Sequence, residues 1–244
     1  MRRSSLGMPG NSDRANRGLR GLGRSGGLEV WVHAHFEQGV SRNELQSRWG
    51  CEEARVMRTL IRCGMFKTAF STVACPDWTL EQVCRSGAEW GYDGVELRTF
   101  GPASRGFASD PALTSSEKAR RLLAQSGLEP AVVASSVGFA EPIRPLLLGR
   151  VISDTERSVR EAKAAIDIAA SIECPLVRVF GFEFPASESR RSGIRRVTER
   201  LLLAADAARH TGVKLVVENG GSFSSAEDLA ELLDGVRNEL VGAA

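Results

Sequence analysis

Ala207-Ala-Arg-His-Thr-Gly-Val-Lys-Leu-Val-Val-Glu-Asn219 holds the end of a helix, a stop and a strand in one short run. Upstream of it a helical pattern extends back to about residue 193, with Ile194, Val197, Leu201, Ala204, Ala205 and Ala208 on one face. Gly212 supplies the C-terminal stop. Residues 214–218 then form a β-rich run that closes on two polar side chains, Glu218 and Asn219. Moving toward the N-terminus, the same alternation recurs. Short β-rich runs lie at residues 67–73, 94–98, 129–135 and 176–181, with longer helical patterns between them.

Capping boxes are expected at Thr79-Leu-Glu-Gln82, Thr114-Ser-Ser-Glu117, Ser153-Asp-Thr-Glu156 and Ser224-Ser-Ala-Glu227, where a hydroxyl caps the helix and a carboxylate or amide reaches back. Regular strand–helix alternation implies parallel strands under helices, because each parallel return needs a crossover. Two layouts satisfy it: an open doubly wound sheet and a closed (β/α)8 barrel. No G-x-G-x-x-G or G-x-x-x-x-G-K-[ST] joins a strand to its helix, so dinucleotide and P-loop chemistry have no motif here. Polar residues gather at strand C-termini, namely Glu96 and Arg98, Ser135 and Ser136, Glu218 and Asn219. Both layouts place their chemistry there, so this pattern marks a site without choosing the fold.

Composition sets the class. The chain has 244 residues, is 42% hydrophobic and 25% charged, and carries a formal net charge of +2. No apolar run is long enough to span a bilayer, and the first 27 residues lack the apolar core of a secretory signal. The charge is uneven: residues 1–64 carry eleven Arg, no Lys and six acidic residues, for a net +5, while the remainder is at −3. A mildly acidic body suits a small-molecule enzyme. The five cysteines (Cys51, Cys63, Cys75, Cys84 and Cys174) are odd in number and form no C-x-x-C pair, which argues for reduced thiols in a cytoplasmic protein.

Three stretches carry a family resemblance. They are Ala69-Phe-Ser-Thr-Val-Ala-Cys-Pro-Asp-Trp78 with Gly91-Tyr-Asp-Gly-Val-Glu-Leu-Arg98, then Ala165-Ile-Asp-Ile-Ala-Ala170 leading to Val177-Arg-Val-Phe-Gly181, and the opening stretch itself. Their order and spacing resemble the xylose-isomerase-like TIM barrels, the sugar and sugar-phosphate isomerases and epimerases, over about residues 66–236. The resemblance implies a partial (β/α)8 barrel of about five βα units. It also implies a divalent metal (Mn, Mg, Co or Zn) at the strand C-termini, held by Glu, Asp, His and Glu from strands five to eight. There the metal polarises a ketose carbonyl while carboxylates move the proton on the adjacent carbon.

Carried over by residue, Glu218 matches the strand-five glutamate, as metal ligand and catalytic base. Glu96 ends strand two and, with Arg98, is a candidate for substrate contact. After Glu218 one helix, residues 225–240, is expected and nothing more. Strands six to eight and their ligands would then be missing: the chain would be a truncated, inactive form of the parent enzyme, or take those strands from another chain, or serve another role.

Other residues have plainer alternatives. Arg178, inside an apolar strand, either binds an anion or pairs with a neighbouring carboxylate. Cys75 is a passive thiol before it is a nucleophile, since no His lies near it in sequence. Trp78 and Phe180 could stack on a sugar, but core packing suits both. Ser135 and Ser136 lack a G-x-S-x-G setting and read as hydrogen-bonding rim residues.

Ahead of the barrel (residues 65–244), residues 1–27 read as a disordered Arg/Gly/Ser-rich segment, or as upstream sequence translated from an early start. Residues 28–64 read as helices broken near Ser41 and Gly50. They resemble a helix-turn-helix whose last helix offers Arg55, Arg58 and Arg62. That would make the chain a sugar-responsive DNA-binding regulator, but Glu52 and Glu53 at the start of the recognition helix oppose it. His33 and His35 would face nearly opposite sides of a helix, a poor metal pair. The partner expected is a small sugar or sugar phosphate, with no nucleic acid or membrane, and a second copy of the chain as the remaining candidate.

Overall fold

The computed structural model describes residues 31–34, 67–99, 115–140 and 157–244, the first four by backbone alone. Seven strands form one parallel sheet: β1 (Trp31–Ala34), β2 (Lys67–Ser71), β3 (Gly94–Thr99), β4 (Glu129–Gly138), β5 (Leu176–Phe180), β6 (Lys214–Glu218) and β7 (Val241–Ala243). The helices α1 (Leu80–Glu89), α2 (Ser116–Ser126), α3 (Arg157–Ser171), α4 (Arg190–Ala208) and α5 (Ala226–Val236) follow β2 to β6 in turn. Strand order in the sheet equals strand order in the chain. A doubly wound sheet reverses its order at a switch point, whereas a barrel is wound in one direction. The topology therefore selects the barrel, with five βα units from β2 to α5 and a sixth strand begun.

Local chemistry sets the helix starts. At α1 the expected box forms: Thr79 Oγ1 accepts from the Gln82 amide at 3.2 Å and Gln82 Oε1 accepts from the Thr79 amide at 2.7 Å. At α2 and α5 the cap lies one residue later than expected. Ser115 caps α2, and Ser225 with Asp228 makes the box of α5. Each site offers adjacent hydroxyl residues, and the phase of the buried face, Ala119 and Leu123 or Leu229 and Leu232, selects which one stands at the first turn. The Ser153–Glu156 box lies outside the described residues. Helix α4 starts at Arg190, capped by Ser189, ahead of the residue-193 start, and ends at Ala208 with His210 and Gly212 both at positive φ.

Two further elements differ from expectation. Residues 31–34 form a strand in parallel register with β2, where the sequence pattern points to the first helix of a helix-turn-helix. The rest of that motif, Ser41, Gly50, Arg55, Arg58 and Arg62 included, lies outside the described residues, as do residues 1–27. At the other end α5 stops at Val236, before residue 240, because Arg237 takes a left-handed conformation (φ 45°). The chain then turns, with the Leu240 amide donating to Asn238 Oδ1 at 2.9 Å, and enters β7 beside β6. The sixth barrel strand is thus begun, a correction to the expectation of a lone final helix. No described helix is long and apolar enough to cross a membrane.

Register sorts the side chains onto two faces, since paired residues of parallel strands point the same way. Val95, Leu97, Val133, Val177, Val179 and Leu215 face the helices and join Leu80, Ile166, Leu201 and Leu232 in the main core. Each such Leu or Ile contributes about 1.5–3 kcal/mol by burial. The opposite face begins with a small cluster of Ala69, Ala131, Val132 and Leu176, then turns polar toward the strand C-termini. A bulge keeps the polar rows aligned. Val95 pairs with Pro130 but Glu96 with Val132, so Ala131 has no counterpart and β4 is re-phased by one residue.

Candidate functional site

The inner face assembles the charged residues by register. Ser71 is opposite Glu96, Arg98 opposite Ala134, Ala134 opposite Arg178, and Phe180 opposite Glu218. Strands β2, β3, β5 and β6 therefore deliver one cluster to their C-terminal ends. At its centre is Arg178, whose Nη1 lies 2.9 Å from Glu218 Oε2 and 3.5 Å from both carboxylate oxygens of Glu96. The contact with Glu218 is an ion pair by distance but lacks hydrogen-bond alignment, since Glu218 Oε2 has no hydrogen-bond partner. The Ser71 hydroxyl donates to Glu96 Oε1 at 2.5 Å, fixing that carboxylate from the other side.

Burial separates the two carboxylates. The Glu96 side chain is 2% exposed and that of Glu218 is 27% exposed, so only Glu218 is open to a ligand. Arg178 answers the sequence's open question about it: it pairs with carboxylates, two of them. Small neighbours make this possible, because Ala134 separates the Arg178 and Arg98 positions in the row. Arg98 is buried, and its backbone amide donates to Thr72 Oγ1 at 2.9 Å.

The remaining candidates fall on the plainer side. Burial pushes the Cys75 thiol up to about 11, and the charge of Arg98 offsets this only in part, so Cys75 is no thiolate nucleophile at neutral pH. The Ser135 hydroxyl is buried and donates to the Arg178 carbonyl at 2.5 Å, a support for β5; Ser136 is exposed. Trp78 packs on Trp90 with ring centroids 5.8 Å apart. The Arg178 guanidinium lies over the Phe180 ring, 5.3 Å from its centroid, and the ring of Phe182 stacks on Phe180 at 4.7 Å. Phe182 has no counterpart in the sequence reading; its only signal there is a second aromatic two residues past Phe180 at a strand end. His210 follows α4 at φ 63°, outside the cluster, and His35 lies outside the described residues.

Among the described residues no three His, Cys, Asp or Glu side chains stand together as a metal cage. Glu218, the expected ligand, faces a guanidinium. The described donor set therefore does not by itself fit a divalent ion. An open depression of about 720 Å³ lies at the other end of the sheet, among Arg120, Glu129, Glu173 and Pro175, away from the charged cluster.

Comparison with known proteins agrees with this fold. No curated protein matches the chain by sequence. Among solved structures, an IOLI protein with a bound zinc atom superposes with a TM-score of 0.60 at 16% identity, covering 73% of this chain and 62% of that one. The D-allulose 3-epimerase from Methylomonas sp., in complex with D-allulose, gives 0.56 at 12% identity, covering 72% and 61%. The 3-keto-D-glucoside 4-epimerase YcjR from E. coli gives 0.53 at 13%, covering 67% and 63%. The chain thus spans about three fifths of the length of these structures, and at such identities the likeness is one of fold. The family model for xylose isomerase-like TIM barrels matches residues 84–244, and with that match on a singly wound parallel sheet the chain belongs to the xylose isomerase-like TIM barrel family.

Proposed function

We propose that the chain is a sugar isomerase- or epimerase-type barrel that binds a sugar or sugar phosphate at the Glu218 rim. The observation that supports this most is the meeting of Glu96 and Glu218 on one guanidinium at the strand C-termini, the end where barrel enzymes act. Glu218, the accessible carboxylate, is the group that would accept or return a proton on the carbon next to a carbonyl. A ligand hydroxyl would reach Glu218 through the exposed part of its side chain, since Oε2, the oxygen against Arg178, is itself buried. Arg98, buried beside Glu96 on the same face of β3, would act on a substrate only through the cluster and not by open contact. Glu96, too buried to touch a ligand, acts by holding Arg178. A zinc atom is present in the IOLI protein structure; a divalent ion, if bound, would supply polarisation of a carbonyl. Glu218 would be its one ligand among the described residues.

On this reading the chain binds sugar and does not turn it over alone, because one carboxylate is not a metal cage. Incubation with ketohexoses and Mn²⁺ in D₂O, followed by NMR, is expected to show no deuterium entry at carbon. Titration with the same sugars is expected to show binding that Glu218→Gln weakens about tenfold, in line with loss of one charge-assisted hydrogen bond. Robust deuterium entry at stoichiometric metal would overturn the inactive state. Equal binding by Glu218→Gln would overturn the role of Glu218.

A further inference from the structure

We propose that Phe182 is a stacking platform that holds the C–H face of a sugar at the barrel mouth, an inference that rests on the sugar-binding reading above. Among the described residues four large hydrophobic side chains are exposed, and Phe182, at 43%, is the one aromatic. Its backbone has φ 59°, a region that costs any residue with a Cβ and that glycine enters freely. An exposed ring repays little of that cost by burial. Strain of this kind persists where the surroundings impose it, and it gathers at ligand sites.

The surroundings do impose it. The Phe182 carbonyl accepts from the Ser222 amide at 3.4 Å. Gly221 packs so tightly on this backbone that a Cβ there would lie 2.8 Å from the Phe182 carbonyl carbon. The ring in turn lies over Gly138, where a Cβ would come within 2.0 Å of Cδ2, and stacks on Phe180 with planes 12° apart. Gly138 at the end of β4 thus makes room for the ring, and Gly221 for the backbone that carries it.

Its position joins it to the charged cluster. Phe180 is the register partner of Glu218 and has Arg178 beside its ring. Phe180 is thus both the stacking partner of Phe182 and the neighbour of the Arg178 guanidinium. A polyol laid against the exposed part of the Phe182 ring would place C–H bonds on an aromatic surface at the same barrel mouth as Glu218. Small-molecule sites commonly combine such an apolar wall with a few convergent polar groups. A ring already fixed also loses little freedom on binding.

The test is ¹H NMR titration of the full chain with D-fructose, with and without Mn²⁺. Sugar protons seated on the ring are expected to move upfield in the wild-type complex. Phe182→Gly should keep or raise the melting temperature, because it removes the strained φ, while weakening D-fructose binding about tenfold and abolishing the upfield shift. Phe182→Trp should bind at least as well as wild type. Binding with no upfield shift, and equal in Phe182→Gly, overturns the platform and leaves the Glu218 reading standing. Absence of D-fructose binding by the wild-type chain overturns both. The wild-type shift needs no variant to fold, so the outcome is decisive either way.

Discussion

The two faces of the sheet alternate residue by residue along the same strands, yet they are built on opposite principles. In β3, Val95 and Leu97 point into the helix-covered core while Glu96 and Arg98 point inward. In β5, Val177 and Val179 do the first and Arg178 the second. The outer face is held by shape and apolar area, non-directional and additive over many contacts. The inner face is held by a few charges whose cost of desolvation is offset only while each has its counterpart. The outer face should therefore fail by cavity, the inner face by charge imbalance. A ligand of opposite character can enter only on the inner side.

The largest effect that separates these principles is at Arg178. Arg178→Met keeps most of the stem volume but leaves Glu96 and Glu218 without their shared cation. Loss of one partner of such a buried cluster costs about 3–5 kcal/mol, read as a lower urea midpoint at unchanged m-value. Adding Glu96→Gln should restore part of the loss, with a coupling energy of about 1–3 kcal/mol in the double-mutant cycle. A cost under about 1 kcal/mol with no coupling would mean that the inner charges are independent and the contrast between the faces is false. Next comes Leu97→Ala, one position from Glu96 and fully buried on the outer face. It should cost about 3 kcal/mol through lost transfer energy and an unfilled cavity, and show no coupling to Arg178→Met.

The same division governs what could be read from sequence. The outer face was legible because it is periodic: β6 has the expected bounds, and β3 exceeds them only by Thr99. Where a side chain competes for the backbone, the bounds moved. β2 stops at Ser71, two residues before Val73, because the Ser71 hydroxyl accepts from the Val73 amide and opens a short 3-10 turn. β4 runs on to Gly138, past Ser135. Strand-end position was enough to single out Glu218, Glu96 and Arg98. The bridge by Arg178 was not readable, since it joins residues 82 apart in the chain and depends on register and the Ala131 bulge. Phe182 was missed for a related reason: its role rests on Gly138 and Gly221, which meet it only in space. The strand at residues 31–34 shows tertiary pairing overriding a local helical pattern.

The buried thiols give a smaller effect. Burial raises the Cys75 thiol to about 11 and Cys174 to about 12, with backbone hydrogen bonds opposing part of the shift at Cys174. An unfolded thiol ionises near about 8.5. A folded pKa above the unfolded one means stability that is complete below about pH 8.5 and lost as pH rises toward 11–12. The slope is at most about 1.4 kcal/mol per pH unit for each thiol. Urea midpoints should thus be flat from pH 7 to 8.5 and fall above it, less steeply in Cys174→Ala. An equally steep fall in that variant would place the alkaline sensitivity elsewhere.

The smallest effect is expected outside both faces, at Arg190. Its Nη2 lies 2.7 Å from Asp228 Oδ1 and 2.7 Å from Glu231 Oε2, and its Nη1 donates to the Ser222 carbonyl at 3.1 Å. These contacts tie the start of α4 to α5 and to the loop beyond Glu218. The group is 43% exposed, so water and salt screen most of the attraction. The Asp228 carboxyl is held below its usual range by Ser225 first, through side-chain and backbone hydrogen bonds, and by Arg190 after it. A depressed folded pKa adds stability above the unfolded value of about 3.9, lost as pH falls below it. At pH 7 Arg190→Ala should lower Tm by less than about 3 °C, and by less again in 0.5 M salt. A loss as large as that of Leu97→Ala, and insensitive to salt, would show the Ser222 loop to be clamped from outside, and the order of the Glu218 rim would then depend on a surface contact as much as on the charges within.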